Sequence, residues 1–432
     1  MSRQPSALAV ASAGIGVVGT AYGMARYGYG LLLPDMRRAF GLGPVALGLI
    51  GTGAYASYLA ASALTGAIAA RAGARRTAVA GGLLAAAGMT LAGLAATPWA
   101  LAAGIVTAGA SAALAYPPFS DAASALPHRS RVRVLAAISC GTGWGVAVAA
   151  PVAILAGSAW RTAWFAFAAL ALAATAWAAR VLPARAVARP PRGGWRRLGR
   201  PGGVPLLAAA VLLGAGSAPY WTFAVTHLVD AGASAPASRA FLAAAGVASV
   251  LGTVTGDLVR VLGGLRAYLG VAGLEAAGIA VLAALPGSLP AAFGSALLFG
   301  AAYNAAVGVQ ALTSARLIPE QPSLGLSAAM AANGAGFLLG PVAAGALAAV
   351  TGLAAVLALG AALVLASAAL YAGAAGVLSR DDQAVEACSS RERFSASCSA
   401  AVISSSSPAS SASRLWTVSF TRWSVTRRSG KL

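Results

Sequence analysis

The 432-residue sequence predicts an all-α polytopic membrane protein with twelve transmembrane helices in two pseudo-symmetric six-helix bundles. Three observations predict it. Hydrophobic residues make up 59% of the chain and charged residues 9%, where soluble domains carry about 25% charged residues. The apolar residues gather into twelve runs, each near the roughly 20 residues that cross a bilayer core. Between the sixth and seventh runs, Arg180 to Gly203 hold seven arginines and four prolines. Such a segment cannot enter hydrocarbon, so it divides the chain into two embedded halves.

In the first half the runs are Ala7–Leu33, Val45–Ala70, Thr77–Thr97, Trp99–Phe119, Val134–Gly157 and Trp160–Leu182. In the second they are Val204–Val229, Ala240–Leu262, Ala267–Leu285, Leu289–Leu312, Leu324–Ala349 and Leu353–Leu378. Short connections make consecutive helices antiparallel neighbours. The expected organisation is a bundle over 1–182, a cytoplasmic loop over 183–203, a second bundle over 204–378 and a tail over 379–432. At an offset of 190 residues Gly66 falls on Gly256, Gly73 on Gly263, Arg76 on Arg266 and Pro151 on Pro341. These are helix ends and helix-interior prolines, so a duplicated architecture is expected.

Arginines set the orientation. With the N-terminus in the cytoplasm, the inward loops carry sixteen arginines and the outward loops four: Arg37, Arg38, Arg161 and Arg239. Positive loops stay inside, which places both termini in the cytoplasm. The tail holds sixteen serines in 54 residues, too polar to pack a core, and is expected to be disordered. Its end, Arg414 to Trp423, mixes cations with aromatics and suits an anionic lipid surface.

The same composition excludes several functions. A net charge of +20 would suggest nucleic acid in a soluble protein, but here the cations sort by loop. Lys431 is the only lysine, so there is no phosphate-binding loop lysine and no ATP hydrolysis within the chain. Three cysteines and two histidines, far apart, build no metal site. Neither cofactor nor metal is expected. A membrane enzyme would need clustered acids, histidines or a nucleophile–base pair, and the runs hold almost none.

Gly66-Ala-Ile-Ala-Ala-Arg71-Ala-Gly73-Ala-Arg75-Arg76 joins the second run to the third. It resembles the GxxxDRxGRR loop of the major facilitator superfamily, matching at Gly66, Arg71, Gly73 and Arg75, with Ala70 where that family has aspartate. In that family the loop latches the inward gate through a charge relay, which implies Asp121 at the inner end of the fourth helix as a partner of Arg75. The second copy holds Asp257 and Arg260, expected to anchor the equivalent hinge. Trp160-Arg-Thr-Ala-Trp-Phe165 and the glycine-rich stretch ending in Gly340-Pro341 are similar to superfamily motifs of helices 6 and 11. Gly141, Gly143, Gly145 and Pro151 form a reduced version of the helix 5 motif of drug–proton antiporters. Ala25-Arg-Tyr-Gly-Tyr-Gly-Leu-Leu-Leu-Pro34 with Tyr220-Trp-Thr-Phe223 resembles the uncharacterised bacterial YbfB/YjiJ-type branch. The resemblance covers about residues 7 to 378 and implies transport between two rocking halves, helices 1, 4, 7 and 10 lining the central cavity.

Arg26 is the sharpest single residue, because a cation inside a spanning run is costly. At 100° per residue Tyr22, Arg26 and Tyr29 share a helix face, and an arginine among tyrosines suits a carboxylate or phosphate. The alternative is an arginine that snorkels to the outer interface. Across the cavity the implied helix set supplies Tyr116, Tyr220, Phe223, His227, Tyr303 and Asn304. For proton coupling the sequence offers Glu275, the one acid near the middle of a run, and His227; helix 9 is usually peripheral in the superfamily, which weighs against Glu275. The expectation is a monomeric, proton-coupled secondary transporter of a small organic solute, an anion if Arg26 binds it. Proton-antiport efflux of drugs or metabolites is the alternative, and a sensor or scaffold acting through the tail a remoter one.

Overall fold

The computed structural model describes residues 6–124, 126–182, 202–317 and 322–376. The tail and nearly all of the central loop lie outside these residues. Among the described residues the structure is helical, and twelve helices are long and apolar enough to cross a membrane. They are α1 (Ala7–Phe40), α2 (Pro44–Thr65), α3 (Arg71–Leu94), α4 (Pro98–Phe119), α5 (Arg133–Ala156) and α6 (Trp160–Val181). The second half comprises α7 (Gly203–Asp230), α8 (Ala235–Leu262), α9 (Gly264–Ala284), α10 (Leu289–Ser314), α11 (Ala328–Thr351) and α12 (Leu353–Gly376). Leu64, Leu94, Leu155 and Leu339 are exposed on the spans, as side chains facing lipid tails should be.

Two helices extend past their sequence edges, and both extensions matter. α1 runs through Pro34 to Phe40, so Arg26 stands fourteen residues before its end, about 21 Å at 1.5 Å per residue. α8 starts at Ala235 because Ser234 caps it, its hydroxyl accepting from the Ala237 N–H at 3.3 Å, with a proline in the first turn. Arg239 is therefore one turn inside a spanning helix rather than in a loop.

α1 is also not uniform. Gly19–Arg26 has π-helical geometry between two α-helical segments, and the Tyr27 N–H reaches the Tyr22 carbonyl at 3.2 Å. A π-turn takes more residues per turn than an α-turn, so every side chain after it is rotated from its 100° position. Gly23 meets α5 here: a Cβ on it would stand 2.5 Å from the Gly145 Cα.

The two halves repeat each other in backbone detail. Gly73 (φ 79°, ψ 165°) and Gly263 (φ 78°, ψ 159°) adopt the same conformation at equivalent helix junctions. Residues with a Cβ do not reach that region without strain of order 1–3 kcal/mol. Gly73→Ala and Gly263→Ala are each expected to lower stability by about that much. Gly256→Ala, helical and with open space around it, should be neutral or slightly stabilising. Thermal unfolding in detergent reads the difference; equal midpoints for all three variants would contradict the strain argument. Gly88 against Ala108 of α4 and Gly278 against Phe299 of α10 are a second pair 190 residues apart.

The seam between the halves is closed by small residues that bring backbones together. Gly48 and Gly345 let α2 and α11 approach at the Pro341 and Pro44 carbonyls. In the pseudo-symmetric pairing of α5 with α8, a Cβ on Gly143 would stand 2.5 Å from the Gly246 carbonyl. Gly30 of α1 lies against the Trp221 carbonyl of α7. Across the seam the Val342 N–H donates to Thr52 Oγ1 at 3.1 Å. The helix count puts residues 6 and 376 at one end of the bundle, here the terminal end; the loops after α1, α7 and α11 mark the far end.

Candidate functional site

Arg26 sits in a cage of aromatic rings. Its guanidinium carbon lies 4.4 Å from the ring centre of Tyr55, 4.5 Å from Tyr58, 5.4 Å from Phe337, 5.6 Å from Tyr27 and 5.7 Å from Tyr22. Four of these rings come from α1 and α2, and Phe337 comes from α11 across the seam. Each such contact is worth about 0.5–2 kcal/mol, enough to orient the guanidinium without cancelling its charge. Among the described residues no carboxylate pairs with Arg26, and its buried Nε has no hydrogen-bond partner. Tyr22 and Tyr58, on the terminal side, are half-buried, whereas Tyr27 and Tyr55, on the far side, are buried. The cage is thus more accessible from the terminal end.

The snorkelling alternative does not hold: the guanidinium is turned inward among rings from both halves. Of the residues expected beside it, Tyr22 is there and Tyr29 is not. The π-turn carries Tyr29 away, and its hydroxyl donates to the Leu47 carbonyl of α2 at 2.7 Å. Tyr27 takes the place beside Arg26. It stacks on Trp221 of α7 at 4.2 Å, and Trp221 in turn meets Tyr303 of α10 at 5.9 Å. Tyr55 stacks on Phe337 at 4.8 Å. The site therefore gathers Tyr22, Arg26, Tyr27, Tyr55, Tyr58, Trp221, Tyr303 and Phe337.

The other sequence candidates point elsewhere. Tyr220 packs inside the second half, its ring 3.8 Å from Phe299 and its hydroxyl 2.8 Å from Ser295. His227 shares that face of α7 and is directed at the backbone of Leu282 and Ala283 in α9. Phe223 is buried. Asn304 turns to α8, donating to the Ser249 carbonyl at 3.3 Å. Tyr116 binds Ser139 at 3.2 Å, beside the apolar core of α1, α5 and α6. Sequence reasoning missed Tyr27, Tyr55, Tyr58, Trp221 and Phe337. The i, i+3 spacing of Tyr55 and Tyr58 on one face of α2 was the legible signal.

At the far end, ion pairs cross the seam. Asp35 of α1 and Arg239 of α8 are both buried and 2.7 Å apart. Arg239 also donates to the carbonyls of Ala153 at 2.7 Å and Gly157 at 2.9 Å, the electronegative end of α5. Arg38 completes Asp35 at 2.6 Å, and Arg37 pairs with Asp230 of α7 at 3.0 Å. The four arginines assigned to outward loops are all held by protein groups, since Arg161 donates to the Ala95 carbonyl at 2.9 Å. This end of the seam is shut.

Residues 15–323 match the sequence profile of the Major Facilitator Superfamily. The chain belongs to that superfamily. Solved major facilitator structures share its fold. A point-mutant form of the nucleoside transporter NupG superposes with TM-score 0.70 at 12% identity, covering 84% of this chain and 99% of the other. A bacterial homologue of the human lysosomal transporter Spinster, inward-facing and unoccupied, gives 0.66 at 17% identity, covering 85% and 97%. Its occupied form gives 0.64 at 16%, covering 87% and 97%. No curated protein sequence matches.

The major facilitator loop between α2 and α3 makes its turn at Gly73, while Arg71 and Arg75 are exposed. The side chains around Gly66 and that of Asp121 lie outside the described residues, and with them the Arg75–Asp121 relay. In the second half Asp257 pairs with Arg260 at 2.9 Å within one helix turn, both well exposed: a solvated local pair. Pro341 is buried against Gly48 and Gly51 of α2, whereas Pro151 is exposed.

Glu275 is fully buried. Glu275 of α9 faces inward, and Ser217 of α7 donates to its Oε1 at 2.6 Å. Its Oε2 has no partner. Two turns earlier on the same face of α9, the Tyr268 hydroxyl accepts from the Gln310 side-chain amide of α10 at 2.6 Å. Tyr303 lies within electrostatic range of both Glu275 and Arg26.

Proposed function

We propose that the chain is a monomeric secondary active transporter of a small organic anion, driven by H⁺ and working by alternating access. It lies in the cytoplasmic membrane of a bacterium with both termini in the cytoplasm. The opening run Ala25–Pro34 favours the YbfB/YjiJ-type branch. The observation that carries the reading is Arg26: a guanidinium at the middle of the fold, oriented by five rings, with no carboxylate of its own among the described residues. A carboxylate or phosphate of the solute supplies the missing counter-charge through the fork geometry that arginine offers. Contacts to rings from both halves make the site a hinge point, so filling it is felt by α1, α2 and α11 together. Glu275 is the proton carrier in this reading, coupled to the anion through Tyr303.

A thermal-shift screen of acidic, neutral and basic metabolites on the purified protein tests the anion site. Acidic ligands should stabilise the wild type. Arg26→Ala should weaken them roughly 10- to 150-fold, the worth of about 1.5–3 kcal/mol for hydrogen bonds to a charged group. Arg26→Lys should recover little, because an ammonium lacks the planar fork. Acidic hits that stabilise Arg26→Ala as well as the wild type would sink the reading.

A further inference from the structure

Resting on that anion site, we infer that the solute is a planar aromatic acid, its carboxylate at Arg26 and its ring taken up by the two aromatic stacks that bridge the seam. The two stacks are Tyr27–Trp221, between α1 and α7, and Tyr55–Phe337, between α2 and α11. Each pairs a ring from one half with a ring from the other, and Arg26 touches Tyr27, Tyr55 and Phe337. Any rocking of one half against the other pulls these pairs apart. Parted, they leave ring faces that lose their partners and face one another across the opened seam, next to the guanidinium. A flat π-system with a carboxylate on its edge restores both kinds of contact at once: offset stacking on the exposed faces and a bidentate pair to Arg26. An aliphatic acid restores only the second.

An independent observation adds a polar requirement. The indole N–H of Trp221 is buried and has no hydrogen-bond partner, although a buried indole usually finds one. It lies on the ring that stacks on Tyr27, so an oxygen substituent on the solute ring would satisfy it. The site thus reads as one cation, two stacking surfaces and one spare donor, all within a single aromatic chain from Tyr58 through Arg26 and Tyr27 to Trp221, Tyr303 and Phe337.

The test titrates the purified full-length protein with benzoate and with cyclohexanecarboxylate, two acids of the same charge and nearly the same size. Benzoate is expected to bind at least tenfold more tightly. Arg26→Ala should lose both acids, while Phe337→Leu and Trp221→Leu should erase the preference and leave cyclohexanecarboxylate within about threefold of its wild-type affinity. Two variants on opposite stacks guard against one that fails to fold. If both acids bind equally and both need Arg26, the aromatic class is overturned and the anion site stands. If aliphatic acids bind and benzoate does not, the aromatic class is likewise overturned. If no acid binds, or binding is indifferent to Arg26, the anion site itself falls and this inference with it.

Discussion

Arg239→Met is expected to cost about 3–5 kcal/mol of stability, toward the lower end of that range. The substitution leaves the Asp35 carboxylate buried at the far end of the seam without its closest interior partner. It also removes the donor that serves the Ala153 and Gly157 carbonyls at the end of α5. Arg38 still reaches Asp35 from the next turn, which is why the loss falls low in the range. Removing both charges, in Asp35→Asn with Arg239→Met, should regain much of it, since no uncompensated charge then remains inside. Arg37→Ala supplies the contrast. Its pair with Asp230 is 38% and 49% exposed, and an exposed pair is worth about 0–1 kcal/mol. Thermal or denaturant unfolding in detergent reads all three variants. If Arg37→Ala destabilises as much as Arg239→Met, burial is not what gives the Asp35–Arg239 pair its strength.

The element count and the duplication were legible because they depend only on local quantities: length of apolar run, arginine-rich loops, glycine at helix junctions. Gly73 and Gly263 matched in sequence because only glycine fits φ near 79° with extended ψ, and backbone need is written in residue type. Arg26 was legible for a similar reason, as a cation where none is cheap. Its surroundings were not. Reading Tyr22, Arg26 and Tyr29 onto one face assumed 100° per residue, and the π-turn over Gly19–Arg26 breaks that assumption in the very segment that matters. Tyr55, Tyr58 and Phe337 are brought to Arg26 by the packing of α2 and α11; the spacing of Tyr55 and Tyr58 marks a shared face, but which helix that face meets is a tertiary fact with no local signature. Arg239 was assigned to a loop although Ser234, Ala235 and Pro236 spelled a helix start before it. Asp35 drew no attention because its partner lies 204 positions away.

Glu275→Gln is expected to abolish solute accumulation driven by a proton gradient while leaving exchange of labelled for unlabelled solute intact. Glutamine keeps an oxygen for the Ser217 hydroxyl and nearly the same volume, so the packing of α7 on α9 is preserved; what disappears is the capacity to take up and release a proton. Exchange needs only that the loaded carrier reorient, and the residues around Arg26 proposed to bind the solute are untouched. Accumulation needs the proton to travel with or against the solute on every cycle. The link between the two is Tyr303, which feels both Arg26 and Glu275, so a change of charge at the acid alters the field at the anion site without any direct contact. His227 is the rival carrier, since its buried Nε2 also lacks a partner. Its position toward the far end, beside the end of α9 and near Asp230, leaves it outside the group of rings around Arg26. His227→Gln should therefore keep gradient-driven accumulation in reconstituted vesicles. Accumulation that persists in Glu275→Gln and fails in His227→Gln would move the proton from α9 to α7 and leave Tyr303 without a coupling role.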